Sequence, residues 1–182
     1  MLVDLPNGKS LVIAGQKSGM VWAHDPDKKG ELVWKADISR GQIIFGAAAD
    51  EENAYFGMRG GAITAVRLKD GVERWNTWIE PLESMASHRG VSAAVSVIPG
   101  VVFVPGLDGT LRAFSTFNGT PLWRYDTTQE VKTVNGVPGK GGSIGSAGAT
   151  IVDGMVYVTS GYIGFQGGQS GNLLLAFGPP NQ

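Results

Sequence analysis

An internal repeat constrains this chain more than any other feature. Three stretches share a glycine, an alanine four residues later, a second glycine and a tryptophan. They are Gly19-Met-Val-Trp-Ala23 with Gly30 and Trp34, Gly61-Ala-Ile-Thr-Ala65 with Gly71 and Trp75, and Gly109-Thr-Leu-Arg-Ala113 with Gly119 and Trp123. Alanine to tryptophan is 11 residues in the first copy and 10 in the other two, and the tryptophans lie 41 and 48 residues apart. A fourth copy, Asn172-Leu-Leu-Leu-Ala176, keeps the alanine, and no tryptophan follows it up to Gln182. Repetition at this period marks an architecture in which each unit buries its apolar face against the next.

Each unit reads as β. The apolar runs at 11–14, 54–56, 101–104 and 155–158 are short, and turn residues bound them. Asp70-Gly71 and Asn118-Gly119 read as two-residue hairpin turns, a conformation that needs positive φ. Pro99-Gly100 reads as a turn between two strands. Residues 32–34 and 122–125 then form following strands, and 42–48, 91–98 and 147–152 preceding ones. The expected fold class is all-β: a β-propeller fragment of about four four-stranded antiparallel blades, at about 1–36, 42–78, 91–125 and 147–177. The tryptophan on each outer strand is expected to cover a blade junction, and the alanine to let sheets approach closely. Residues 80–88 read as a connecting loop, with a short helix starting at Pro81 as the competing reading.

Composition narrows the function classes. Lys plus Arg is 15 and Asp plus Glu is 16, a net charge of −1, which is not the balance of a strongly basic nucleic-acid binder. The chain has no cysteine, so it supplies no disulfide, thiolate nucleophile, Cys-ligated metal or C-x-x-C-H haem attachment. Its two histidines, His24 and His88, are too few for a multi-histidine metal site. The longest stretch without a charge, 91–107, is interrupted by Pro99-Gly100 and reads as two strands, so no membrane span is expected. The first residues carry neither a basic head nor an apolar signal core.

Motifs that carry chemistry mostly fail in their details. Gly141-Gly-Ser143-Ile-Gly145 matches a nucleophile elbow, but no histidine follows His88 to complete the triad. Gly8-Lys9-Ser10 resembles the end of a phosphate loop, yet Val3 stands where glycine is required. The stretch Asp25-Pro-Asp27-Lys-Lys29-Gly30 has Ala36 where a calcium loop places its bidentate glutamate. What remains is placement. The segments 15–19, 57–61, 106–109, 161–171, 37–42, 78–91 and 126–146 would open on one face of a propeller. They carry Lys17, Arg40, Arg59, Arg89, Lys132 and Lys140. The glycine-rich loop 139–145 would leave backbone N–H groups free for an anion. An anionic ligand at the mouth and a merely solvated rim both fit these residues.

Longer strings carry a family resemblance. Ala14-Gly-Gln-Lys-Ser-Gly-Met-Val-Trp-Ala-His-Asp-Pro26, Pro99-Gly-Val-Val-Phe103, Leu107-Asp-Gly-Thr-Leu-Arg-Ala113, Thr133-Val-Asn-Gly-Val137 and Lys140-Gly-Gly-Ser143 resemble pyrroloquinoline quinone (PQQ) β-propellers. The polyvinyl-alcohol-dehydrogenase-like quinoproteins are the most similar group. That resemblance implies the C-terminal half of an eight-bladed propeller and an alcohol dehydrogenase that passes electrons to a cytochrome. It implies PQQ as cofactor, calcium held by the half outside this chain, no haem site here, and a periplasmic or secreted location. The alternative is a non-catalytic propeller acting as a protein-binding scaffold. The implied cofactor-binding residues are Lys17, Lys140, Ser143 and Asp108, with no catalytic or metal-binding residue assigned. For Asp108, the turn chemistry of Asp-Gly is a sufficient explanation in itself. Ile44-Phe45-Gly46 departs from the polar residue and tryptophan that relatives often carry there. The expected partner is an N-terminal half propeller or a second copy of the chain.

Overall fold

Seventeen strands and two single 3₁₀ turns make up the computed structural model, which describes residues 1–145, 147–162 and 167–179. The first sheet runs β1 (Leu2–Asp4), β2 (Ser10–Gly15), β3 (Met20–Asp25) and β4 (Glu31–Asp37) in sequence order. The second follows the same order with β5 (Ala48–Ala49), β6 (Asn53–Met58), β7 (Ala62–Arg67) and β8 (Glu73–Trp78). The third holds β9 (Ser96–Ile98), β10 (Val101–Pro105), β11 (Thr110–Ser115) and β12 (Pro121–Asp126). A separate hairpin, β13 (Glu130–Lys132) with β14 (Pro138–Lys140), precedes a fourth sheet of β15 (Thr150–Val152), β16 (Met155–Ser160) and β17 (Leu173–Phe177). All pairing is antiparallel. The 80–88 segment is a loop holding one 3₁₀ turn, Glu83–Met85.

The first strands of the second to fourth sheets are shorter than 42–48, 91–98 and 147–152. Their backbone groups are used elsewhere. Gln42 O accepts from Arg59 N at 2.9 Å, Gly46 O from Val95 N at 3.1 Å, and Met58 O from Val91 N at 3.1 Å. The last two bonds tie one sheet to the next, and the first joins the segment leading into β5 to the residue after β6 outside the regular ladder.

The turns at Asp70-Gly71 and Asn118-Gly119 also differ from the two-residue form. Arg67 N bonds to Val72 O at 2.8 Å and Ser115 N to Thr120 O at 2.9 Å, so each loop spans four residues. Only the glycine is left-handed, at φ +76° and +72°. The Asp70 and Asn118 side chains instead accept from the amides of Val72 and Thr120. Asp153-Gly154 forms a tight two-residue turn with both residues at positive φ, joining Val152 to its pair Met155. Pro99-Gly100 does join β9 to β10.

The core lies between sheets. Ile13, Val21 and Trp34 of the first sheet pack on Phe56, Met58 and Val66 of the second. Tyr55, Ile63 and Trp75 then meet Val102, Val104 and Phe114 of the third. Leu111 meets Ile144 and Val158 at the last junction. The repeat residues build these junctions. Trp34 Nε1 donates to Leu68 O at 2.7 Å and Trp75 Nε1 to Thr116 O at 2.8 Å, each in the following sheet. A Cβ on Gly71 would stand 2.6 Å from the indole of Trp34, and one on Gly119 2.5 Å from that of Trp75. The second glycine of the second and third repeats is therefore both a left-handed turn and a flat seat for the preceding tryptophan. Opposite each tryptophan stands the repeat alanine, in the pairs Ala23–Trp34, Ala65–Trp75 and Ala113–Trp123. A register shift follows the alanine every time, which twists the outer strand locally.

Candidate functional site

One rim gathers the hairpins between the second and third strands and the links from sheet to sheet. Glycine contacts interlock them. A Cβ on Gly41 would stand 2.6 Å from Gly60 N, and one on Gly109 2.6 Å from Gly142 O. Backbone bonds cross the same seams, Leu107 N to Gly90 O and Gly161 N to Ser143 O, both at 2.9 Å.

The cations of this rim fall into two groups. Arg40 forms a two-pronged pair with Glu73, at 2.5 and 3.1 Å, and Arg89 lies 3.7 Å from Glu80. Lys17, Arg59, Lys132 and Lys140 form no ion pair among the described residues. Lys17 is exposed on the β2–β3 hairpin. Lys140 is exposed at the end of β14, beside a polar groove of about 550 Å³ lined also by Ser84, Gln129, Glu130 and Gln169.

Asp108, which the resemblance implies as a cofactor contact, is bonded within the fold. It is 2% exposed, and its two oxygens accept four bonds. Arg112 donates to both, at 3.0 and 2.5 Å, Leu82 N donates at 2.9 Å and Thr110 N at 3.2 Å. That count matches the acceptor capacity of a carboxylate. Arg112 also donates to Glu80 O at 3.0 Å. The pair thus clasps the 79–90 link to the β10–β11 hairpin. Sequence reasoning overlooked Arg112, although the signal was there. The equivalent positions in the other copies hold Trp22 and Thr64, and an arginine inside Thr-Leu-Arg-Ala-Phe needs a buried partner.

Ser143 is also bonded within the fold. It is fully buried; its hydroxyl donates to Leu107 O and accepts from Gln169 N at 2.9 Å. The loop around it does not offer the anion nest expected of its glycines. Lys140 N bonds to Asn172 Oδ1, Gly141 N to Thr127 O, Gly142 N to Ser160 Oγ, Ser143 N to Gln169 O and Ile144 N to Gly106 O. Thr127 and Ser160, which the sequence did not single out, face each other at 2.6 Å in the same buried seam. Asp108 and Ser143 therefore meet around Leu107, while Lys140 flanks the loop and Lys17 sits on another sheet. At the rim the titration of Asp126 is displaced. Burial pushes its pKa up, but the bonds from Thr128 and Gln129 outweigh this and hold it below the usual 3.8.

Known proteins resemble this chain in sequence and in fold. The chain is 40% identical over 97% of its length to a polyvinylalcohol dehydrogenase of Pseudomonas sp, of which the match covers 32%. It is 36% identical over 95% of its length to a polyvinylalcohol dehydrogenase of Sphingopyxis sp. (strain 113P3), of which 31% is covered. The chain thus spans about a third of these curated relatives. Among solved structures, BamB from Moraxella catarrhalis superposes with a TM-score of 0.65 at 18% identity, over 87% of this chain and 46% of that one. That likeness identifies the four sheets as propeller blades. A family model described as outer membrane protein assembly factor BamB, of the PQQ_2 type, matches residues 17–140. With its repeat, its junction tryptophans and this match over most of its length, the chain belongs to the PQQ_2 family of β-propeller repeats.

Proposed function

We propose that this chain is part of a PQQ-dependent alcohol dehydrogenase that oxidises an alcohol to a carbonyl and passes electrons to a cytochrome. The observation that carries this reading is the 40% identity to a polyvinylalcohol dehydrogenase over nearly the whole chain. PQQ bears three carboxylates and a quinone, and the unpaired cations of the rim suit such a group. Lys17 would face a quinone oxygen and Lys140 a carboxylate, where a fixed positive charge favours the negative form. The quinone, when bound, supplies a two-electron acceptor. Calcium would be held by residues outside this chain; among the described residues no three histidines or carboxylates gather at one point. An N-terminal half propeller or a second copy would complete the ring, in the periplasm or outside the cell.

A second reading rests on a specific observation. The matching family model is described as an assembly factor, and Asp108 and Ser143 serve the fold. On that reading the propeller is a non-catalytic scaffold. Titration calorimetry with PQQ and calcium separates the two, using this chain and a version extended N-terminally to eight blades. Binding by the extended form, weakened about tenfold by Lys17→Ala, is expected. No binding by either form would establish the scaffold reading instead.

A further inference from the structure

A groove of about 960 Å³ opens where the β5–β6 turn meets the β11–β12 loop, at the strand ends opposite the cationic rim. Glu51, Glu52 and Asn53 line it from the second sheet, and Ile98, Pro99 and Phe117 from the third. Strand β1 also borders it. The second and third sheets are each packed on both sides by another sheet.

Asp50 shapes the turn. Its Oδ1 accepts from Glu52 N at 2.9 Å and Asn53 N at 2.8 Å, and its Oδ2 from the Tyr55 hydroxyl at 2.5 Å. Glu51 and Glu52 stay exposed, and neither forms an ion pair among the described residues. They also border a second groove with Arg67, Lys69 and Arg74, and still no pair joins them to these cations. No lysine or arginine lines the groove of Phe117. Asn53 is a second, independent sign of a ligand. It is 8% exposed, and its Oδ1 is buried without a hydrogen-bond partner. Such an acceptor costs stability and is open to a donor. Phe117, at the loop tip, is 88% exposed.

The matching group carries positive charge, donates in several directions and tolerates an aromatic face. A guanidinium does all three: five N–H donors in one plane, a permanent charge and weak hydration that favours stacking on a ring. A metal ion fits less well, because among the described residues no three carboxylates or histidines gather at one point. Ile98 and Pro99 suit apolar residues beside the arginine.

We propose that this groove is a docking site for an arginine-bearing segment of a partner polypeptide, its guanidinium held by Glu51, Glu52 and Asn53 Oδ1 against Phe117. The site is independent of the cofactor reading, because no residue of the rim takes part.

The probe is a short fluorescein-labelled peptide of alternating leucine and arginine, titrated into the 182-residue chain by fluorescence anisotropy. Saturable binding is expected, with hydrogen exchange slowed at 50–53 and 116–118. Citrulline in place of arginine should abolish binding, and lysine should weaken it. Phe117→Ala should bind about threefold more weakly, the size of one exposed cation–π contact. The double variant Glu51→Lys with Glu52→Lys should not bind. Asn53→Leu removes an orphan acceptor, so its thermal midpoint should hold or rise while the peptide binds more weakly. The proposal falls if the peptide does not bind, if the citrulline or lysine peptide binds equally, or if the glutamate and Phe117 variants bind as the parent does. It also falls if the free chain is already a dimer with the groove protected, since the occupant is then a second copy.

Discussion

The indole of Trp34 lies over Gly71 in the neighbouring sheet and donates to Leu68 O at 2.7 Å. Trp75 repeats the contact with Gly119 and Thr116. Gly30, the equivalent glycine of the first sheet, has open space where a Cβ would go. The three glycines share a positive φ, of +78°, +76° and +72° in chain order. Gly30→Ala therefore costs only the left-handed backbone, about 1–2 kcal/mol. Gly71→Ala adds a clash with a buried ring, a further ~1–3 kcal/mol. Urea unfolding of the two variants measures the difference directly, and equal losses would mean the indole contact carries no stability.

The clasp between Asp108 and Arg112 makes a second prediction. Arg112→Met keeps the volume but leaves a buried carboxylate without its counter-charge, a loss of about 3–5 kcal/mol. It also removes the bond to Glu80 O, one of the few ties on the 79–90 link. Arg89 in that link is exposed, so trypsin should cut after it much faster in the variant than in the parent chain. Reduced stability with an unchanged cut at Arg89 would show that the pair braces only its own hairpin.

Much of this was legible because a repeat reports on junctions. The spacing of Ala65, Gly71 and Trp75 alone places an outer strand, a left-handed turn and a covering ring. Position within a seam was not legible in the same way. Ser143 in a glycine-rich loop looks identical whether it faces solvent or a neighbouring sheet, and here Leu107 and Gln169 take both its roles. The short first strands have a similar cause. Val91 and Val95 carry strand-like side chains, but their amides bond to Met58 and Gly46 of the adjoining sheet. Long-range partners of that kind leave no local trace.

Ser160 and Lys17 should separate seam from surface. Ser160 is fully buried and its hydroxyl serves both Gly142 N and Gly142 O, at 3.0 and 2.8 Å. Ser160→Ala leaves Gly142 N without a partner and should cost about 1–3 kcal/mol. Lys17→Ala, at an exposed hairpin, should stay within about 0.5 kcal/mol of the parent. Thermal unfolding of both variants checks the contrast. A destabilised Lys17→Ala would give that lysine a structural role and remove it from the cofactor argument.

Asp126 closes the turn after β12, accepting from the Thr128 hydroxyl at 2.7 Å, the Thr128 backbone amide at 2.8 Å and Gln129 Nε2 at 2.7 Å. Burial works against ionisation, and these three bonds reverse its effect, so the folded pKa lies below 3.8. A depressed carboxylate stabilises the fold fully above its unfolded pKa, and the contribution disappears as pH falls through the folded value. The gap in stability between the parent chain and Asp126→Asn should then be constant from pH 7 to about 5 and shrink below about 4. Urea unfolding at stepped pH provides the curve. A gap that persists unchanged to about pH 2.5 would mean that the turn depends on the shape of the side chain and not on its charge.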